Sequence, residues 1–479
     1  MHAMILYTDY RINSVCFSPE GVTSFCREEY RAMRTVLVNP LWTKAAILPT
    51  NLAELAGYIR ANGFSDTTII DLNYELRGAA QPESLVEKAV DAVASMKPDV
   101  IGVTCNTVHV PFVAELCRAW KKSSDVPVVL GGIHPTFRPG EMLKLTGADY
   151  VVRGEGEVTL LELLRALADG KPVKGIPGLS YRKKRVCHTP ARPLIGDLAE
   201  LPFPAFDLLL PYSKGKNRVY LSGSRGCPFG CQFCSAHRMW GWQRRKPVGR
   251  ILEEIAWLRD CFDFGFIRFN DDCITLNREW LGRLLAGLRN LGIGWDCYSR
   301  IDTIDRSMMT EMKEAGCLLI YHGIESGSSR LRCMLGKKLP DRITNDYILK
   351  TVKQEREAGL LVYCSFMTAI PTETEDEMRE TIRLGLSLKE MGATVQFWIM
   401  TPYPDIEAVE RYRVDLMRLN RWQRLQQADV FAADQYYFYR SYYNKYSREN
   451  PDFRMFRPAM ELKRFFSIYR EGRELLCCD

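Results

Sequence analysis

The sequence predicts an α/β protein in three parts: a doubly wound parallel sheet, a partial (β/α)6 TIM-type barrel and a helical C-terminal domain. Three observations lead there. Two series of short, apolar, β-branched runs alternate with helical patterns, a proline-rich stretch separates the two series, and composition shifts after residue 410. The length of 479 residues suits two or three domains, and 46% hydrophobic with 26% charged residues excludes a disordered, collagen-like or coiled-coil chain.

Residues 1–33 read as an N-terminal extension and residues 34–170 as the first domain. Its strand candidates are 35–40, 67–72, 100–105, 127–132 and 150–156, apolar throughout, as strands buried on both faces must be. Between them, the pattern at 51–63 places Leu52, Leu55, Ala56 and Ile59 on one face and stops at Gly63. Such alternation implies right-handed crossovers and a parallel sheet, whose ligands lie beyond the carboxyl ends of the strands. Those ends carry Asn39-Pro40, Cys105-Asn106-Thr107, Gly131-Gly132-Ile133-His134 and Gly154-Glu155-Gly156-Glu157. Any one glycine pair reads equally as a turn, but four such ends in one sheet favour a binding face. No G-x-G-x-x-G follows the first strand, so the sheet does not advertise a dinucleotide.

Residues 171–217 hold seven prolines and little periodicity, which predicts a linker. Six further strand candidates follow, at 219–224, 264–271, 293–300, 317–326, 360–369 and 394–402, with helical patterns between them. Barrel units of this kind place an active face at the strand C-termini, here within 218–410. Residues 411–479 carry 14 basic, 9 acidic and 15 aromatic residues, a separate helical, aromatic and basic unit. The net charge of +7 falls short of a nucleic-acid footprint. The start MHAMILYTDY has no basic segment followed by an apolar run, and no 18-residue apolar stretch occurs, so no membrane span and a cytoplasmic setting are expected. In that reducing compartment the sixteen cysteines are thiols or ligands rather than a disulfide framework.

Directly after the first barrel strand comes Ser224-Arg225-Gly226-Cys227-Pro228-Phe229-Gly230-Cys231-Gln232-Phe233-Cys234. Three soft thiolates at C-x3-C-x2-C suit an iron-sulfur cluster, and a four-iron cube with three ligands keeps one iron open for chemistry. A zinc site closed by His237 satisfies the same spacing. Position favours the cluster, because a structural zinc knuckle has no reason to sit at the first strand end of a barrel.

This motif, with Phe233 before the last cysteine, resembles that of the radical S-adenosylmethionine (SAM) enzymes. The resemblance extends to Asn270-Asp271-Asp272, Ser299-Arg300, Gly323-Ile324-Glu325-Ser326-Gly327 and Thr401-Pro402-Tyr403-Pro404 at later strand ends. Upstream, GGIHPTFRPGEML and ADYVVRGEGEVTLLELL look like the cobalamin-binding domain that precedes the barrel in one branch, so the match covers about residues 34–410. The resemblance implies a Rossmann-like cobalamin-binding domain followed by a radical SAM barrel. It implies that Cys227, Cys231 and Cys234 hold a 4Fe-4S cluster whose open iron binds the amino and carboxylate groups of SAM. Phe233 would lie beside the adenine, Arg300 would meet the SAM carboxylate, and Glu325 and Ser326 would reach the methionyl amine or ribose. Asp271 and Asp272 would lie at the same end, although an acidic pair there also reads as a helix cap.

In the first domain, the resemblance implies Thr104, Asn106, Thr107 and Val108 under or beside the corrin. It places Gly131, Gly132, Gly154 and Glu155 along the nucleotide tail. The cobalt-ligating D-x-H-x-x-G motif is absent: neither His109 nor His134 has the required Asp and Gly. Base-off cobalamin with no histidine ligand from the protein follows, with His134 packing its loop. The branch motif Pro-Gly-Glu-Thr-x-Glu-Glu departs here to Pro371-Thr372-Glu373-Thr374-Glu375-Asp376-Glu377.

The function implied is C-methylation. One SAM would methylate cob(I)alamin, a second would yield the 5'-deoxyadenosyl radical, and the resulting substrate radical would capture the methyl group of methylcobalamin. A ferredoxin- or flavodoxin-type donor would supply the electron. The substrate is expected to be a peptide or protein side chain first and a small molecule second, with Tyr403 a candidate catalytic residue. The aromatic run Tyr436–Tyr439 with Tyr442, Tyr443 and Tyr446 is expected to form a helical lid. The alternatives are cyclisation or oxidation within the same branch and, from another class, a zinc-stabilised nucleic-acid-binding protein. Cys16, Cys26, Cys477 and Cys478 read as free thiols, and Cys273, Cys297 and Cys333 as the plausible additional active-site thiols.

Overall fold

The computed structural model describes residues 33–41, 48–76, 85–213, 217–337, 343–401, 403 and 406–412, with 416–418, 454–456, 459–460, 464 and 468 of the remainder. Cys16, Cys26, Cys477, Cys478 and the expected tyrosine-rich lid lie outside the described residues.

Strands β1 (Thr35–Asn39), β2 (Thr67–Asp71), β3 (Val100–Thr104), β4 (Val128–Gly131) and β5 (Tyr150–Val152) run parallel in the order β2-β1-β3-β4-β5. This is the doubly wound sheet that the alternation predicts. The candidate at 150–156 ends early, because Gly154 takes a φ of 75° and the chain turns into the helix Gly156–Ala168. Two strands were not foreseen. Within 171–217, β6 (Leu179–Arg182) and β7 (Val186–His188) form an antiparallel hairpin that extends the sheet beyond β5, with Val151 opposite Ser180. The strands are three and four residues long and joined by Lys183-Lys184-Arg185, too short for their alternation to stand out among the prolines.

In the second domain β8 (Arg218–Leu221) is followed by the two-residue strands β9 (Ser224–Arg225) and β10 (Arg244–Arg245), which pair antiparallel. Then come β11 (Phe266–Phe269), β12 (Gly294–Ser299), β13 (Cys317–Glu325), β14 (Leu361–Thr368) and β15 (Thr394–Ile399). Together with β8 the last five form one parallel sheet in sequence order, a six-stranded partial barrel. Val219, Ile267, Trp295 and Ile320 turn one face of it towards the helices 248–261, 278–291 and 306–314.

One hydrophobic core runs through both domains, joining Leu52 and Leu160 to Ile251 and Leu284 by way of Phe206 and Leu209 of the intervening segment. The seam is tight. A Cβ at Gly57 would stand 2.3 Å from the Phe203 carbonyl oxygen, so a side chain there would push the intervening segment off the first domain's helix. Cys273, Cys297, Cys317 and Cys364 are buried, and burial pushes the Cys297 thiol well up, while Cys273 lies near enough to Cys227 to help raise that thiol. Cys333 is exposed.

Most of 411–479 lies outside the described residues. Among its described pieces, Leu416–Arg418 pairs antiparallel with Arg454–Phe456, so this part of the expected helical domain is extended. Among the described residues no helix is long and apolar enough to cross a membrane.

Candidate active site

An open cleft of about 340 Å³ lies between the two sheets. From the first domain it is lined by the ends of β3 and β4 and the turn after β5, including Thr104, Asn106, Gly131, Gly132, Gly154 and Glu155. The barrel supplies Ser222, Gly226, Met239, Trp240, Asn270 and Asp272. That volume falls at the lower end of the roughly 300–1,000 Å³ of ordinary small-molecule pockets, and the cleft is open to solvent on one side. Glycine shapes its first wall: no atom lies within 4 Å of where a Cβ would stand at Gly131 or Gly154, so a large ligand can rest on bare backbone there. The bare backbone and the open side suit a large group resting against this wall, such as cobalamin.

The structure separates the expected corrin residues. Thr104 and Asn106 line the cleft, whereas Thr107 and Val108 do not. The Thr107 hydroxyl lies 3.0 Å from His134 Nδ1, inside the protein. His109 Nδ1 accepts a hydrogen bond from the Asn106 backbone N–H at 3.1 Å. Burial lowers both histidines to about 4, His134 with help from Arg138, so both rings are neutral near pH 7. Glu155 lines the cleft, but its carboxylate already accepts from Ile195 N at 2.7 Å and from Arg225 and Arg244. Glu155 therefore lines the cleft with its carboxylate held by the barrel's arginines.

Cys227, Cys231 and Cys234 share the loop between β9 and the helix Ala236–Trp240, at the C-terminal end of β8. The loop is pinned on both sides. Cys227 N–H donates to the Gly241 carbonyl at 3.1 Å, and Gln232 N–H donates to the Leu335 carbonyl at 2.8 Å. All three sulfurs are half-buried, and burial pushes the Cys227 thiol up to about 11 and the Cys234 thiol up to about 12. A metal must displace those protons, and three soft thiolates on one loop suit iron-sulfur ligation. His237 Nδ1 lies 3.2 Å from the Cys227 carbonyl oxygen. Among the described residues no set of three His, Cys, Asp or Glu side chains is gathered to hold a single metal ion.

The strand ends around this loop form one polar ring. Arg300 is buried, ion-paired with Asp302 at 3.0 Å, donates to the Lys337 carbonyl at 2.8 Å and hydrogen-bonds Cys231. Glu325, at a φ of 73°, is paired with Lys337 Nζ at 2.7 Å. Ser326 points elsewhere: its hydroxyl lies 3.0 Å from Thr381 Oγ1 and accepts from Ser328 N, both within the packed interface with the helix Glu375–Glu390. Asp271 is likewise engaged, accepting from Gly223 N at 2.9 Å and from the Ser224 hydroxyl. Asp271 thus braces the turn before the cysteine loop, and Asp272 is the member of the pair that faces the cleft. Burial raises both carboxyls to about 6. Phe233 packs with Tyr403, Trp398, Met367 and Met400 in an apolar cluster at the barrel mouth.

Sequence reasoning missed Phe229, Asp302 and Lys337, which position Arg300 and Glu325, and Trp240 of the cleft. Only Phe229 carries a local signal, since it lies inside the cysteine motif.

Comparison with known proteins agrees with this construction. Residues 44–164 match the B12 binding domain family and residues 221–385 the Radical SAM superfamily. An uncharacterized methyltransferase of Pyrococcus horikoshii is 36% identical over 367 residues, 74% of this chain and 76% of that protein. The anaerobic magnesium-protoporphyrin IX monomethyl ester cyclase of Rubrivivax gelatinosus is 29% identical over 74% of this chain, which spans 64% of the cyclase. The fold matches the radical SAM methyltransferase TsrM of Kitasatospora setae, solved with tryptophan and a SAM analogue, at a TM-score of 0.65 and 19% identity over 78% of this chain and 75% of that one. A zinc-stabilised nucleic-acid-binding protein is set aside by these matches, and the chain belongs to the methyltransferase-like branch of the cobalamin-dependent radical SAM enzymes.

Proposed function

We propose that this enzyme transfers a methyl group to an unactivated carbon of a substrate seated at the barrel mouth. The observation that carries the proposal is the shared cleft. One continuous space is bounded by the glycine-lined strand ends of the first sheet and by the strand ends beside the cysteine loop. When bound, the cluster and SAM supply a carbon-centred radical and cobalamin supplies the methyl group, all within reach of one cavity.

The chain's own residues bind, orient and exclude water. Cys227, Cys231 and Cys234 ligate the cluster, while Arg300 and Glu325, each held by a buried partner, present fixed charges to the carboxylate and amine of SAM. Phe233 borders the adenine. Asp272 replaces Asp271 as the acidic residue facing the bound groups. Thr104, Asn106, Gly131, Gly132 and Gly154 carry the corrin and its tail, bound base-off. Both nearby histidines are spent on internal contacts at Nδ1 and stay out of the cleft lining, which supports the absence of a histidine ligand. Phe233, Trp398 and Tyr403, half-buried over the Met367 and Met400 side chains, suit a substrate with an apolar or aromatic face, from a small molecule or a peptide side chain. A low-potential ferredoxin or flavodoxin in the cytoplasm supplies the electron.

The 29% identity to a cyclase favours one second reading, ring formation without methyl transfer. Anaerobic cells fed methionine with a trideuterated methyl group, expressing either the natural chain or Cys231→Ala, separate the two. A compound specific to the natural chain and heavier by the labelled methyl supports methylation. A specific compound without label establishes the other chemistry.

A further inference from the structure

Arg225, two residues before Cys227, crosses the seam between the domains. Its guanidinium meets three carboxylates of the first domain: Glu54 at 2.9 Å, Glu155 at 3.2 Å and Glu157 at 2.7 Å. Across the β9–β10 ladder its partner Arg244 grips Glu155 at 3.0 Å, and Lys246 lies 3.6 Å from Glu54. The Arg225, Arg244, Lys246, Glu155 and Glu157 side chains are at most 11% exposed. Burying so many charges is a poor route to stability, since desolvation cancels much of the attraction, but directional forks fix one register between the parts they join.

The register passes to the cluster ligands without slack. Gly226, at a φ of 93°, is the single residue between Arg225 and Cys227, and a Cβ there would stand 2.5 Å from the Trp242 carbonyl oxygen. Cys227 N–H is bonded to the Gly241 carbonyl in the same strip of chain. Moving Arg225 therefore moves Cys227.

We propose that Arg225 is a positioning residue that sets the distance between the cobalamin-bearing sheet and the cluster loop. It thereby couples the two uses of SAM, an inference that rests on the function proposed above. In one use, the pair of electrons on cob(I)alamin displaces S-adenosylhomocysteine from the SAM methyl carbon, which requires both domains in register. In the other, one electron through the cluster breaks the C5'–S bond to give methionine. A second electron and a proton, from dithionite and water when no substrate is present, then complete 5'-deoxyadenosine. That use needs the cluster loop alone.

The test uses holoenzyme with cobalamin, SAM and dithionite, without substrate, and reads the ratio of S-adenosylhomocysteine to 5'-deoxyadenosine released. Arg225→Lys keeps the charge and loses the fork, and should lower that ratio about 10- to 100-fold, the cost of a misplacement near 1 Å. Glu157→Gln, which leaves the Arg225 side chain in place, should lower it less and serves if Arg225→Lys does not fold. In the cofactor-free chain, amides 226–235 should exchange faster in either variant. Equal falls in both products, or an unchanged ratio, overturn the proposal. If the natural chain releases 5'-deoxyadenosine but no S-adenosylhomocysteine, the methyl-transfer reading fails, and unchanged amide exchange in the variants separately overturns the positioning role.

Discussion

The guanidinium of Arg300 lies 3.6 Å above the ring centre of Phe229, so the end of β12 is clamped directly to the loop that carries the three cysteines. The contact holds Arg300 flat while Asp302 and the Lys337 carbonyl take its N–H groups. A cation over a half-buried ring is worth about 0.5–2 kcal/mol, or roughly 2- to 30-fold in an affinity that depends on it. Phe229→Ala should therefore weaken SAM binding by about that factor with iron content unchanged. Equilibrium dialysis against labelled SAM, beside iron analysis, checks it; full SAM affinity in the variant contradicts the clamp.

Gly131 offers a different test, because space above it is open and its φ is ordinary. Gly131→Leu should project its side chain into the cleft and abolish cobalamin uptake while the folded chain and its iron remain. Absorbance of the reconstituted chain reads both cofactors. Normal cobalamin uptake would place the corrin elsewhere.

Thr372 stands where the branch motif has glycine, and it takes a φ of 62°, as a β-branched residue rarely does. The left-handed conformation costs about 1–2 kcal/mol in a non-glycine residue, partly offset by the extra freedom glycine has when unfolded. Thr372→Gly should raise stability by about 0.5–1 kcal/mol and Thr372→Val should lower it. Urea midpoints with equal slopes measure the difference, and a lower midpoint for the glycine variant contradicts stored strain.

Glu373 carries the same loop inward, where burial pushes its carboxyl up from the ordinary value near 4.5 to about 8. Its Oε2 accepts from Ile370 N at 3.3 Å, and burial outweighs the hydrogen bonds from Ile370, Ala369 and Thr368 that favour the charged form. The folded chain thus keeps a proton that the unfolded chain releases. That contribution is whole below pH 4.5 and is lost as pH rises through about 8. Urea midpoints between pH 5 and 9 should fall more steeply for the natural chain than for Glu373→Gln; parallel curves would show that the carboxyl does not titrate there.

Periodicity and spacing made the two parallel sheets and the cysteine loop legible, because each is written in contiguous residues. Leu52 and Ile59 mark their helix face within eight positions, and Cys227, Cys231 and Cys234 fall in one loop. Side-chain direction was not legible. Asp271 and Asp272 are neighbours with the same chemistry, yet the backbone end of β11 turns the first into a brace for Gly223 and the second into the cleft. Contacts between distant residues were equally hidden. Arg225 and Glu54 are 171 positions apart, and no local pattern announces a pair whose partners meet only when two domains close. The hairpin at β6 and β7 escaped because its pairing with β5 comes from the sheet edge rather than from its own three or four residues.

The proposed chemistry requires one chain to hold an iron-sulfur cluster and cobalamin on opposite walls of a single cleft. Metal and sulfide analysis of anaerobically reconstituted protein tests it most directly, with the natural chain, Cys231→Ala and Gly131→Leu prepared side by side. The natural chain should contain iron, sulfide and cobalt. Cys231→Ala should lose iron and sulfide and keep cobalt, and Gly131→Leu should do the reverse. Zinc in the natural chain with no iron or cobalt, or loss of both cofactors in each variant, would contradict the two-walled site.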